Sequence, residues 1–163
     1  MHRNGHYGVN LAVYAPVVFV LTALGYTTLA LLGGAVVVGG AMLPDLDQRI
    51  PKVKHRGPTH TIWFALAVGV IVGLAGTVAT WPQGIVVALG VGAFGLCVGT
   101  LTIVAHILAD VLTPTGVRPL APVQDKKYTL DVVTAANPIA NYALLVGGVA
   151  IAVVAFGAGT ALS

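Results

Sequence analysis

The chain has 163 residues, of which 57% are hydrophobic and only 8% charged, and its net charge is +3. Soluble domains carry about a quarter charged residues, so this composition excludes an ordinary water-soluble domain, and the length fits one membrane-embedded domain over residues 1–163. The Lys and Arg residues lie in short loops, which points to anionic headgroups and membrane orientation and away from nucleic acid.

Residues 1–8, MHRNGHYG, are polar and glycine-rich. From Val9 to Leu43 there is no charged residue. As one helix this run would be roughly 52 Å long. A bilayer core is about 30 Å thick, so the run predicts two short spans. The turn between them is expected at Gly25-Tyr26, and the second span is expected to end at Pro44. Residues 45–60, DLDQRIPKVKHRGPTH, form the most charged loop. Thr61 to Thr80 is a third span, followed by a tight turn at Trp81-Pro82-Gln83. Gly84 to Leu112 is a fourth helix, longer than the hydrocarbon core needs, so its last two turns are expected to emerge at the surface. Residues 113–138 form a proline-containing polar loop, whose part from Val117 to Pro138 is either a lid on the membrane or a simple link. Ile139 to about Leu162 is a fifth span.

The expected fold is therefore all-α, an integral membrane bundle of about five transmembrane helices. Glycines within the spans, such as Gly33, Gly40, Gly92 and Gly95, suit close helix packing in lipid. The lone cysteine, Cys97, lies inside an apolar run and reads as a buried packing residue. The first apolar run shows no cleavage site of the signal-peptide kind.

Charge tests this topology. Arg3 precedes the first span. Arg49, Lys52, Lys54 and Arg56 lie between spans two and three, and Arg118, Lys126 and Lys127 between spans four and five. With five spans all three segments share one side, and the opposite turns and C-terminal tail hold no Lys or Arg. The positive-inside rule makes the charged side cytoplasmic. The expectation is a multi-pass protein of the cell (inner or plasma) membrane with its polar site at the cytoplasmic interface.

The same side gathers the residues that can do chemistry. His106 and Asp110 are four apart and share a helix face. In HRGPTH, Gly57 suits a tight turn and Pro58 the first position of a helix, which places His60 in the first turn of span three. His55 falls in the loop, off that face. Asp45 and Asp47 follow Pro44, and His6 precedes span one. Each element alone has a plain reading: a helix-end ion pair, a solvated turn or a loop that binds lipid phosphates. Ionisable groups at membrane depth are costly and usually mark function, and here separate segments bring His6, Asp45, Asp47, His55, His60, His106 and Asp110 to one face.

Imidazole with carboxylate suits zinc, with manganese or iron as alternatives, and the lack of thiolates argues against a structural zinc knot. Seven candidates exceed the needs of one ion. Either two ions share the site, or some of the seven orient ligands or move protons. The chain has no glutamate, so a protein base must be Asp or His. Asp47 is expected as ligand or base, and Asp110 as ligand with a catalytic part. Arg56, with Arg49, Lys52 and Lys54 near it, could hold an anionic group such as phosphate. Thr113 and Thr115 could donate hydrogen bonds to substrate or orient a ligand.

PDLD, HRGPTH and HILADVLTPTG running into RPLAP resemble the family of membrane-bound metal-dependent hydrolases described as LexA-regulated and inner-membrane-associated. That family shows an N-terminal histidine, a PDxD-type element, an HRGxTH element and an HxxxDxxTxxG element in this order. Here they fall on His6, on Asp45 and Asp47, on His55 to His60, and on His106, Asp110, Thr113 and Gly116, so the resemblance covers residues 1 to about 122. At the N-terminal element this chain departs from the usual form, with Gly8 close behind His6. The resemblance implies a metal-dependent hydrolase with a site similar to that of zinc-dependent phospholipases C.

The expected function is hydrolysis of an ester, foremost a phosphoester of a lipid or membrane-associated substrate, through a metal-activated water. Two other classes stand beside it: a metal-ion-binding or transport protein, and a scaffold whose basic loop binds anionic lipid. The expected partners are membrane lipids and a lipid or small-molecule substrate.

Overall fold

The computed structural model describes residues 1–51 and 55–163. Lys52, Lys54 and the part of the basic loop they form lie outside the described residues.

Five α-helices carry the fold: α1 (Arg3–Ala23), α2 (Thr27–Gly40), α3 (Ile62–Thr80), α4 (Ile85–Val111) and α5 (Pro138–Thr160). Short 3-10 turns stand at Pro44–Arg49, Pro58–His60 and Trp81–Gln83. Among the described residues there is no strand beyond one isolated bridge between Val117 and Tyr128. Counting α2 with the turn that follows it, five helical segments are long and apolar enough to cross a membrane. The protein is an all-helical membrane bundle.

The helix limits have local causes. Gly25, at φ +81, reverses the chain between α1 and α2. The Thr61 side chain accepts a hydrogen bond from Phe64 N and so caps α3. Asn137 does the same for Ala140 N ahead of Pro138, which occupies the first position of α5.

Two tight pairs build the bundle, α3 on α4 and α1 on α5. Glycines make both possible. A Cβ on Gly148 would collide with the Gly8 carbonyl, and Gly69, Gly73, Gly95 and Gly99 line the α3–α4 seam in the same way. The outward faces are apolar, as expected of helix surfaces that meet lipid. Tyr14, Val18, Val37 and Val98 form one buried cluster, and Ala65, Ile103, Ile107 and Val117 a second one nearer the polar end.

Several expectations change. α1 begins at Arg3, so His6 lies within the helix and not ahead of it. α2 stops at Gly40, and Pro44 starts a 3-10 turn that carries both aspartates. His60 closes its own 3-10 turn, because Thr61 is extended and α3 starts only at Ile62. Among the described residues of that loop the left-handed one is Arg56 (φ 59), whereas Gly57 has negative φ. Cys97 is exposed on the outer face of α4 and is not packed inside. Neighbouring segments enclose the polar face at the end of α4, where His106 is 0% and Asp110 1% exposed.

Residues 112–137 fold back over that end. Leu130 N donates to Val111 O at 2.7 Å, and Val117 and Tyr128 exchange backbone hydrogen bonds at 3.0 and 2.8 Å. Gly116, at φ +59, packs its Cα against the Tyr128 carbonyl, where a side chain would have no room.

Candidate metal centre

Four segments deliver the polar residues to one end of the bundle. The first turns of α1 bring His6, and the Pro44–Arg49 turn brings Asp45 and Asp47. The loop before α3 brings His55 to His60, and the last turns of α4 bring His106 and Asp110. Asp45, His60, His106 and Asp110 each offer one ligand atom, and all four atoms lie within 4.8 Å of one another.

Two histidines are locked by what they donate to. His106 Nδ1 lies 2.7 Å from the Ala41 carbonyl oxygen. A carbonyl only accepts, so Nδ1 carries the proton and the Nε2 of neutral His106 is a bare lone pair. Thr59 Oγ1 donates to Asp47 Oδ2 at 2.7 Å and lies 3.0 Å from His60 Nδ1. With its own proton committed to Asp47, Thr59 accepts from His60 Nδ1, and the Nε2 of neutral His60 is bare as well. These two Nε2 atoms face each other at 3.2 Å. Asp45 Oδ1 stands 3.5 Å from the first and 3.6 Å from the second of the His60 and His106 Nε2 atoms. Asp110 Oδ2 stands 3.5 and 3.8 Å from the same two. Two lone pairs and two carboxylate oxygens converge where only a proton or a cation relieves their repulsion.

Unpaired donor atoms lead to the same centre. Asp110 Oδ2 and both ring nitrogens of His6 are buried without a hydrogen-bond partner among the described residues. Buried polar atoms are seldom left so. His6 stacks flat on His106, with ring centroids 3.8 Å apart, and its Nε2 lies 3.6 Å from Asp110 Oδ1 and 3.8 Å from Asp45 Oδ2. It borders the group of four. Imidazole and carboxylate donors in this number fit a divalent ion of the zinc, manganese or iron kind.

Asp47 holds a different station. Its Oδ1 lies 2.9 Å from His55 Nδ1, and its Oδ2 accepts from Thr59 and lies 3.5 Å from His60 Nδ1. Asp47, His55 and His60 form a second possible metal group. Both Asp47 oxygens already have donors, so it is placed to orient His60 and His55 in the manner of a carboxylate behind a metal-ligating histidine. The His55 side chain is 42% exposed at the rim.

Arg56 turns inward. Its guanidinium donates to Asp110 Oδ1 at 2.9 Å, to Thr113 Oγ1 at 3.1 Å and to the Gly116 carbonyl at 3.1 Å. A left-handed backbone at a non-glycine residue is strained, and these bonds hold it. The amino group of Met1 reaches the same Asp110 oxygen. Thr113 is fully buried and donates to the Asp110 carbonyl, whereas Thr115 is exposed. Burial by itself lowers the His60 pKa, but the neighbouring Asp110 and Asp45 carboxylates outweigh it and hold the value above the ordinary histidine range.

Two contributors escaped the sequence reading. Thr59 stood inside HRGPTH without a role. The Ala41 carbonyl has no side-chain signature that a sequence could show.

The fold and this cluster define a class: a multi-pass helical membrane protein with a buried histidine–aspartate centre at one end of its bundle. The chain belongs to the family described as YdjM inner membrane protein, whose model matches residues 1–162. Family and spans together make it a multi-pass protein of the inner membrane. Among curated proteins and solved structures, nothing matches the chain.

Proposed function

We propose that the chain is a membrane-bound, metal-dependent hydrolase that cleaves an ester, foremost a phosphoester, of a membrane-associated substrate. Asp45, His60, His106 and Asp110 would hold the ion, and His6 borders them. The observation that carries this reading is the pair of imidazole Nε2 atoms at 3.2 Å, each bare in the neutral ring because its Nδ1 is committed elsewhere. A bound divalent ion polarises an ester oxygen and lowers the pKa of water toward ~7.

The protein residues have separable tasks. Ala41 and Thr59 set the His106 and His60 tautomers. Asp47 braces His60 through Thr59 and leaves the exposed His55 ring as a proton carrier at the rim. Arg56 pins Asp110 to the 113–116 turn. The site faces the cytoplasm, because the segments that form its end of the bundle carry all the Lys and Arg residues of the chain.

Cleavage adds water across the ester: hydroxyl to the acyl or phosphoryl group, proton to the leaving alcohol. Purified protein in detergent, given a membrane lipid extract, should release water-soluble phosphoester or fatty acid. Chelator should abolish this and added zinc or manganese restore it. Release that ignores chelator, or no release from any metal-loaded sample, refutes the assignment.

A further inference from the structure

A cleft of about 970 Å³ opens beside the metal cluster, between the start of α3 and the 112–137 segment. His55 and Arg56 form its inner edge. Trp63 and Phe64 line it from α3, and Arg118, Pro122 and Lys127 line it from the 112–137 segment. None of Trp63, Phe64, Arg118 or Lys127 has a part in holding the ion.

Its walls are of two kinds. Trp63 and Phe64 belong to the first turn of a membrane span, so the aromatic flank lies where the bundle meets the lipid boundary. From the 112–137 segment Arg118 and Lys127 bring cationic groups to the same lining. Among the described residues the only carboxylate on the lining is Asp125, and it already sits 3.1 Å from Arg118 in an exposed pair. Exposed pairs of that kind are weak, so a ligand anion can take the aspartate's place. Among the described residues Lys127 Nζ donates to the Pro114 carbonyl at 2.9 Å, a neutral acceptor that does not balance its charge.

We propose that this cleft seats an anionic membrane lipid. Its phosphate head lies between Arg118 and Lys127, facing His55 and Arg56, and its first chain carbons lie over Trp63 and Phe64. The calling of this lipid a substrate rests on the hydrolase reading; its binding does not. The two-sided lining excludes both halves of the ligand on their own. A soluble phosphate has nothing to place on the aromatic flank, and a zwitterionic lipid brings its own cation to the basic one.

Trp63 reports on the cleft directly once the other tryptophan is replaced, as Trp81→Phe. Dihexanoyl phosphatidate, dihexanoyl phosphatidylcholine and glycerol 3-phosphate are titrated into this protein in detergent, and Trp63 emission is followed. Phosphatidate should saturate the signal with at least about tenfold higher affinity than either of the others, from charge-assisted contacts on one side and apolar burial on the other. Arg118→Ala with Lys127→Ala should erase the preference over phosphatidylcholine while metal content, measured on the same sample, stays unchanged. Asp125→Asn should tighten phosphatidate binding.

Equal affinity for the two lipids, or a preference that survives the double substitution, overturns the proposal. Tight binding of glycerol 3-phosphate overturns it too, in favour of a soluble phosphoester. Because the titration needs neither turnover nor chelator sensitivity, loss of the hydrolase reading and loss of the lipid site show up as different results.

Discussion

His60 and His106 are 46 positions apart, lie on different elements and bring their Nε2 atoms to 3.2 Å. Each ring is fixed from behind, one by Thr59 with Asp47, the other by the Ala41 carbonyl. Neither ring can turn away without breaking a hydrogen bond, a buried one for His106 and a part-buried one for His60. The facing Nε2 atoms are thus built in, and a proton or a cation between them satisfies both.

The ligand assignment separates two groups of variants. Losing an orienting partner of a metal histidine costs about 10–100-fold in affinity. Asp47→Asn and Thr59→Val should fall in that range. His60→Ala, His106→Ala and Asp110→Ala should exceed it and lose the ion on gel filtration. Metal analysis and isothermal titration on the purified variants decide. Full retention by His60→Ala and Asp110→Ala would sink the centre as drawn.

Metal binding should depend on pH with a fixed sign. The His60 pKa is raised, so without metal His60 keeps its proton above the ordinary histidine value of about 6.5. A ligand histidine must be neutral. Affinity should therefore fall as pH drops through the raised His60 pKa, by about tenfold per pH unit for each proton displaced. Titrations at a pH below the ordinary histidine value, in two buffers of different ionisation enthalpy, should show proton release as the ion binds. No proton release would contradict the protonated metal-free state.

Arg56→Lys keeps the charge and cannot make three fork-like contacts. Losing bonds to Asp110, Thr113 or the Gly116 carbonyl should lower stability by about 1–3 kcal/mol. Metal affinity should drop as Asp110 loosens. Thermal unfolding of the metal-free and metal-loaded forms measures both, and the loss should be larger in the loaded form. An unchanged melting temperature would show that the three contacts contribute nothing.

The α1–α5 seam should tolerate no side chain at its closest point. A Cβ on Gly148 collides with the Gly8 carbonyl, two residues from His6. Gly148→Ala should destabilise by about 1–3 kcal/mol through overpacking and weaken metal binding through His6. Gly147→Ala has nothing within 4 Å of its added Cβ and serves as the neutral control. Equal behaviour of the two variants would rule out the close packing.

Much of the fold was legible because lipid imposes few solutions. A 35-residue run without charge cannot be one span, and Gly25 turns the chain where that argument placed the break. Element limits were less legible near the site. His60 reads as a residue of α3 from Pro58 alone, yet a 3-10 turn followed by extended Thr61 rotates it away from the helix and toward His106. Arg56 reads as a free phosphate-binding cation, while the folded chain commits its guanidinium to Asp110, Thr113 and Gly116. Cys97 reads as core and faces outward, because an apolar run in a membrane span does not mark which side meets lipid.

By itself the sequence determined the membrane class, the number of spans and the gathering of histidines and aspartates at one end, since hydropathy and charge count are properties of the chain in order. Only the tertiary structure decided which of those residues meet and which brace the others. Tautomers, lone-pair directions and the Ala41 carbonyl depend on groups that lie dozens of residues apart and touch only after the helices have packed.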